Sequence, residues 1–311
     1  MTGEADTIPL MDRDAHDEDI AGVPTRVYVT DADATDVPTL VLLHGGDVRS
    51  LSHATDFSTQ WRPSARIPRL LAADKPGQGG SFDVNDLERG LDPAALVEHL
   101  DALIRRYCTG PYVVLGHSRG ALPAMALTLQ RPERLAGLLL VSSNTLAPPS
   151  PVTPADFYPT MYRRSPDEEL SEDYVGREAA GNSLRSDHVA DLVTYRWRVA
   201  EQEGWWESHA ERTRLHDELL RPRLDAMRDT LIGQLGTERL DVPSLTVWGC
   251  DDVSAPEVLG PALQAVIRPA FTRADYVALT GARHYVYRDR AHAFREHVEA
   301  WLADVPGWVT H

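Results

Sequence analysis

Cysteine is nearly missing from this 311-residue sequence, with only Cys108 and Cys250 present. Two thiols so far apart make neither a disulfide framework nor a metal-binding pair, so a reducing compartment suffices and two buried free thiols are expected. Basic residues are outnumbered, 31 against 47 acidic ones, and the net charge of −16 disfavours phosphate backbones and anionic membranes as partners. No run approaches the ~18 apolar residues of a membrane-spanning helix. The stretch MTGEADTIPLMDRDAHDEDI carries acids where a secretory signal would carry a basic start and an apolar segment. The expectation is a soluble cytoplasmic protein without a nucleic-acid or membrane partner. Internal repeats and low-complexity tracts are absent as well. What remains, 42% hydrophobic and 25% charged residues, is ordinary globular composition with enough apolar surface for a sizeable core.

The residues that are present alternate in kind. Seven short β-rich or continuously apolar runs stand out: TRVYVT (25–30), TLVLLH (39–44), IPRLLAAD (67–74), YVVLGH (112–117), LAGLLLVSS (135–143), SLTVWG (244–249) and DYVALTG (275–281). Stretches of helical period separate most of them, the pattern of a mostly parallel sheet flanked by helices. One helix is marked by Asp92 as N-cap and Pro93 at the first position, with Leu96, Leu100, Leu103, Ile104 and Tyr107 on one face. A second should run from Arg119 to about Gln130, before Pro132, and a third from Arg288 to Asp304 with Phe294, Val298, Trp301 and Leu302 inward.

The alternation breaks once, between about Thr145 and Leu240. LAPPSPVTP (146–154) leaves the sheet, and a charged, strand-poor stretch follows with Tyr158, Tyr162, Tyr174, Tyr195, Trp197, Trp205 and Trp206. It reads as helices inserted between two strands, dividing the chain into a core (1–145 and 240–311) and an insertion (146–239).

Ligands of open α/β sheets bind outside the carboxyl ends of the strands, so the loops there carry functional weight. In VVLGHSRGAL, Ser118 lies between Gly116 and Gly120 directly after a strand, where small neighbours permit a sharp turn that projects a hydroxyl. A bare G-x-S-x-G arises by chance in very roughly one chain in ten of this length, and a plain helix N-cap is the competing role for Ser118. The Arg119 amide begins the following helix, where negative charge is favoured. After TLVLLH, the Gly45-Gly46 pair lets backbone approach a ligand, and the Gly46 amide is the candidate second donor to an oxyanion; a simple turn is the alternative. A serine nucleophile needs a base and the base needs an orienting group. His284, in TGARHYVY after the last strand, is the best placed of the twelve histidines, and VWGCDD offers Asp252, with Asp251 as the alternative. Ser118, Asp252, His284 is the order nucleophile, acid, base.

Together with LLHGG, ADKPGQGGS (73–81), QRPERLAGLLLVSS and VWGCDD, these residues resemble the α/β-hydrolase superfamily over nearly the whole chain outside the insertion. The resemblance implies the α/β-hydrolase fold and makes the insertion a helical cap whose aromatics form part of an acyl or ring pocket; Gly45, Tyr285, Trp197 and Trp205 are the candidate substrate contacts, although such aromatics also build a cap's own core. Subfamily marks are missing. The loop is HGGDVRS rather than Gly-Pro-Gly, the elbow is HSRGA rather than Ser-Met-Gly-Gly, and Tyr285 rather than tryptophan follows His284, unlike carbon–carbon bond hydrolases. The HGGPG and GGSWG segments of prolyl iminopeptidases are absent, and serine at 118 excludes the aspartate chemistry of haloalkane dehalogenases and epoxide hydrolases. Arg49 and Arg119 could favour a substrate carboxylate.

The expected activity is hydrolysis of a carboxylic ester or lactone of a small apolar or aromatic metabolite through an acyl-enzyme on Ser118, with no metal or organic cofactor. Acyl transfer, carbon–carbon bond hydrolysis and a non-catalytic ligand receptor are the alternatives.

Overall fold

The computed structural model describes residues 14–150, 170–184 and 186–308. Tyr158, Tyr162 and the end of the proline-rich stretch lie outside them. Eight strands form one sheet: β1 (Ala15–Ile20), β2 (Val23–Val29), β3 (Thr39–Leu43), β4 (Arg69–Ala73), β5 (Tyr112–His117), β6 (Leu135–Val141), β7 (Ser244–Gly249) and β8 (Ala274–Leu279). Their spatial order is β1-β2-β4-β3-β5-β6-β7-β8, with β1 and β2 antiparallel and all pairings from β4 to β8 parallel.

The seven expected strands are all present. β3, β4, β5 and β7 are buried at every position, which is why they read as unbroken apolar runs. β1 was not expected. Its sequence AHDEDI has one buried residue, Ile20, and its pairing is set by the tight turn at Ala21 and Gly22, both at positive φ (53° and 83°), rather than by hydrophobic pattern.

Helices cover both faces. α1 (Pro93–Tyr107) starts where Asp92 accepts the Ala94 amide at 2.9 Å. α2 (Ala121–Leu129) begins two residues later than the sequence suggested, because Ser118–Gly120 form a 3-10 turn first. Between β6 and β7 lie α3 (Glu172–Ala180), α4 (Ser186–Ala200), α5 (His209–Leu215), one π-helical turn (His216–Leu220) and α6 (Arg221–Leu235). α7 (Leu259–Ile267), α8 (Val286–Asp289) and α9 (Ala291–Ala303) complete the chain, and α9 starts later than Arg288 because Arg290 is non-helical.

Successive residues of each central strand feed opposite cores. Val41, Val114 and Leu140 pack with Leu100, Leu122 and Leu263, while Leu42, Leu115 and Leu139 pack with Phe57, Phe294 and Trp301. Each such leucine contributes ~1.5–3 kcal/mol on burial. Leu224, Leu231 and Leu235 of α6 join the first core, so this helix, expected to be part of an insertion, belongs to the layer on the sheet. A third cluster, Tyr174, Val175, Val199, Ala200 and Trp205, is built by the segment between β6 and β7 around Leu51 from the loop after β3. Cys108 is buried as expected, but Cys250, at the open end of β7, is only partly so. Among the described residues no helix is long and apolar enough to cross a membrane.

Candidate active site

Parallel strands end on the same side of a sheet, and the loops after β3, β5, β7 and β8 therefore meet. After β5 the chain turns so sharply that Ser118 takes a left-handed φ of 52°, a strained conformation for a residue with a side chain. The turn needs its glycines: a methyl at Gly116 would come within 2.6 Å of Ala121 Cα, and one at Gly120 within 2.6 Å of His44 O. Ser143 Oγ donates to the Ser118 carbonyl at 2.7 Å and holds the turn from the side of β6. Gly45 faces the elbow, with room for no Cβ beside that of Ser118.

The loop after β3 presents a peptide in a fixed direction. His44 Nδ1–H donates to the Gly45 carbonyl at 2.9 Å, and the Lys75 amide donates to His44 Nε2 at 3.0 Å, so the imidazole is neutral and its tautomer set. Burial, with Lys75 nearby, holds His44 well below the usual histidine range. In a trans peptide the N–H points opposite the carbonyl, so the Gly46 N–H is turned away from His44. Gly46 itself sits at φ 68°, and Lys75 Nζ donates to its carbonyl at 2.9 Å. Burial lowers the Lys75 amine to about 7.

His284 follows β8, and its Nδ1 lies 2.8 Å from Asp252 Oδ2. The other Asp252 oxygen accepts the Ser254 and Ala255 amides at 2.8 Å each. Asp251, left open by the sequence, instead accepts the Gly281 amide at 2.9 Å and holds the turn after β8. Nδ1 being taken, Nε2 is the histidine nitrogen left for proton transfer. Ser118 is 4% exposed and His284 5%.

The sequence model of the Alpha/beta hydrolase family matches residues 40–297. The chain belongs to the α/β-hydrolase family. As a sequence, this α/β-hydrolase is similar to sn-1-specific diacylglycerol lipase ABHD11 of Mus musculus, with 25% identity over 300 residues, covering 92% of this chain and 87% of that protein. As a structure, it is similar to the 2-hydroxy-6-oxo-6-phenylhexa-2,4-dienoate hydrolase of Rhodococcus sp. strain RHA1 (TM-score 0.67, 18% identity, 92% and 97% of the two chains). An N-acyl homoserine lactonase variant bound to N-hexanoyl homoserine lactone is a further neighbour (TM-score 0.63, 16% identity, 93% and 97%). At these identities the structural neighbours speak for the fold alone.

Asp47 and His216, which the sequence did not single out, join His117 of the serine turn in the surroundings of these residues in this α/β-hydrolase. His117, fully enclosed, donates from Nε2 to the His284 carbonyl at 3.1 Å and accepts the Tyr287 hydroxyl at Nδ1 at 3.2 Å. Burial, and then the neighbouring His284, keep it well below the usual histidine range, as a neutral link between the turn after β5 and the loop after β8. Asp47 receives Arg119 Nη1 at 2.6 Å and a two-pronged contact from Arg49 at 3.0 and 3.1 Å. Burial alone would raise this carboxyl, but Arg119 and Arg49 outweigh it and hold Asp47 well below the usual range. The expected reception of a substrate carboxylate by Arg49 and Arg119 thus meets guanidinium groups already committed to Asp47. His216 Nε2, from the π-helical turn, completes the cluster 2.8 Å from Arg119 Nη1.

The candidate substrate contacts fall apart into separate roles. Tyr285 is buried beside His284, its hydroxyl bonded to Arg196 of α4. Trp205 is 2% exposed in the insertion's own core with the Arg212 guanidinium 4.3 Å above its ring, and Trp197 packs half-buried against the same cluster. Among the described residues, no three histidines, cysteines or acids gather as metal ligands would.

Proposed function

We propose that the protein is a serine hydrolase cleaving a carboxylic ester or lactone of a small, largely apolar or aromatic metabolite through an acyl-enzyme on Ser118. The observation that carries the reading is the His284–Asp252 hydrogen bond, at two strand ends of the sheet whose β5 ends in the strained serine turn. His284 Nε2 takes the Ser118 proton as the oxygen attacks the carbonyl, and Asp252 orients the ring and stabilises its charged form. The Gly46 and Arg119 amides receive the oxyanion: the first is aimed by His44, and the second starts a helical turn whose amides are not used within it. The leaving alcohol then takes the proton from His284, which activates water to release the acid. Both Ser118 and His284 lie almost out of bulk water, where such donors act most strongly.

The sequence similarity to a lipase supports an ester as the scissile group, whereas the fold shared with a lactonase at 16% identity carries no bond type across. A meta-cleavage product hydrolase and the 2-hydroxy-6-oxo-6-phenylhexa-2,4-dienoate hydrolase share the fold at 17 and 18% identity, which carries no bond type across either. The test is labelling with a fluorophosphonate and turnover of nitrophenyl esters of graded chain length and of simple lactones. Wild type should label and Ser118→Ala should not, while Asp252→Asn should lower kcat by roughly 10³- to 10⁴-fold. Equal labelling of Ser118→Ala, or undiminished turnover by His284→Ala, refutes the assignment.

A further inference from the structure

The acid and the base of the proposed site sit on separate loops, after β7 and after β8, with the whole of α7 between them in the chain. Catalytic groups must be held within ~0.5 Å of their working geometry, so something has to remove the slack between the two loops. The short turn between α3 and α4 of the insertion does so. Ser254, whose amide binds Asp252, donates its hydroxyl to Asn182 Oδ1 at 2.6 Å. The Asn182 carbonyl accepts the amide of Tyr285, the residue after His284, at 3.0 Å. On the other side of His284, the Arg283 amide donates to Asp289 Oδ2 at 2.7 Å, and Asp289 Oδ1 receives the Ser183 hydroxyl at 2.5 Å and the Leu184 amide at 2.8 Å. Both peptide neighbours of the histidine are therefore tied, directly or through one carboxylate, to Asn182–Leu184, and the acid is tied there through Ser254. Asn182 and Ser254 are both buried, so water does not compete for these bonds.

We propose that Asn182, delivered by the helical insertion, is a positioning residue that holds the Asp252 loop and the His284 loop in register. The proposal rests on the triad reading above. It assigns the segment between β6 and β7 a part in assembling the catalytic pair.

Asn182→Ala deletes the side-chain arm and leaves the carbonyl arm, and Ser254→Ala deletes the same bond from its other end. Each should lower kcat per fluorophosphonate-titrated site by about tenfold, in line with the cost of a slight misplacement, while KM stays within about twofold. The double variant should be no worse than the weaker single one, because the Asn182–Ser254 bond is broken in all three. A role confined to stability would lower the titrated fraction or the melting temperature and leave kcat per titrated site unchanged. The proposal is overturned by kcat per site within about twofold of wild type in both single variants, or by additive losses in the double variant. If Asn182→Ala does not fold, kcat per site of Ser254→Ala decides alone, since it lacks the same bond. Failure of the triad reading appears separately, as labelling that survives Ser118→Ala.

Discussion

Replacing Asp47 by asparagine keeps the shape of the residue and removes one charge from the cluster in the loop after β3. Opposite charges 2.6 Å apart attract by roughly 6 kcal/mol at an effective dielectric near 20, before the cost of taking them out of water is subtracted. Losing one partner of a fully buried pair costs about 3–5 kcal/mol, and a surface pair costs about 0–1. The Asp47 side chain is 7% exposed, but those of Arg119 and Arg49 are 20% and 27% exposed and reach some water once released. The expected loss therefore lies between the limits, at about 2–3 kcal/mol. The assay is urea unfolding, reading the midpoint at unchanged slope, with Asp47→Asn, Arg119→Met and the double variant. Because the folded carboxyl titrates below its unfolded value, its contribution is complete above pH ~4 and disappears as pH falls towards the folded value. The difference between wild type and Asp47→Asn should shrink in that acidic window. A loss below about 0.5 kcal/mol at neutral pH, with no coupling to Arg119→Met, would refute the reasoning.

Three further outcomes are expected. Gly120→Ala puts a methyl within 2.6 Å of the His44 carbonyl, well inside the ~3.5 Å at which such atoms rest, so esterase activity should fall at least tenfold whether or not the melting temperature changes. Lys75 has its folded value lowered to about 7, so between that value and ~10.4 the unfolded chain holds a proton that the folded one lacks, and stability should rise with pH there by up to about 1.4 kcal/mol per unit. Lys75→Met should flatten that rise in urea midpoints taken at pH 7, 8 and 9; equal slopes would show that Lys75 keeps its proton. Trp205→Ala should cost about 3–5 kcal/mol, since the ring is sealed in the insertion's core, and calorimetry should find the loss without any change in which nitrophenyl ester is preferred.

The sequence made the central sheet readable because strands buried on both faces leave unbroken apolar runs, and Ser118, Asp252 and His284 could be singled out because each stands in the loop after a strand, Ser118 immediately and the other two a few residues on. The contacts around them were not readable for a physical reason. Asn182 and Ser254 are 72 residues apart, and His117 lies 167 residues from the carbonyl it holds; no local pattern marks two polar groups that only the fold brings within 3.1 Å. Trp205 was ambiguous from the start, because an aromatic in a pocket wall and one in a core have the same sequence signature, and only packing separates them. Asp47, four residues after a strand, looked like any loop acid until two arginines and a histidine proved to converge on it.

The strand that escaped notice has its own use. β1 forms one edge of the sheet, and its Asp17, Glu18 and Asp19 stand in succession along it. An edge strand offers unpaired amides and carbonyls to any other chain, and charged side chains are one way proteins refuse the offer. A second copy aligned against β1 would have to bring these three acids into the new pairing, two of which are already held by Arg26 and Arg106. The same residues that conceal this strand from a hydrophobic reading thus discourage an added strand at the edge that β1 forms among the described residues.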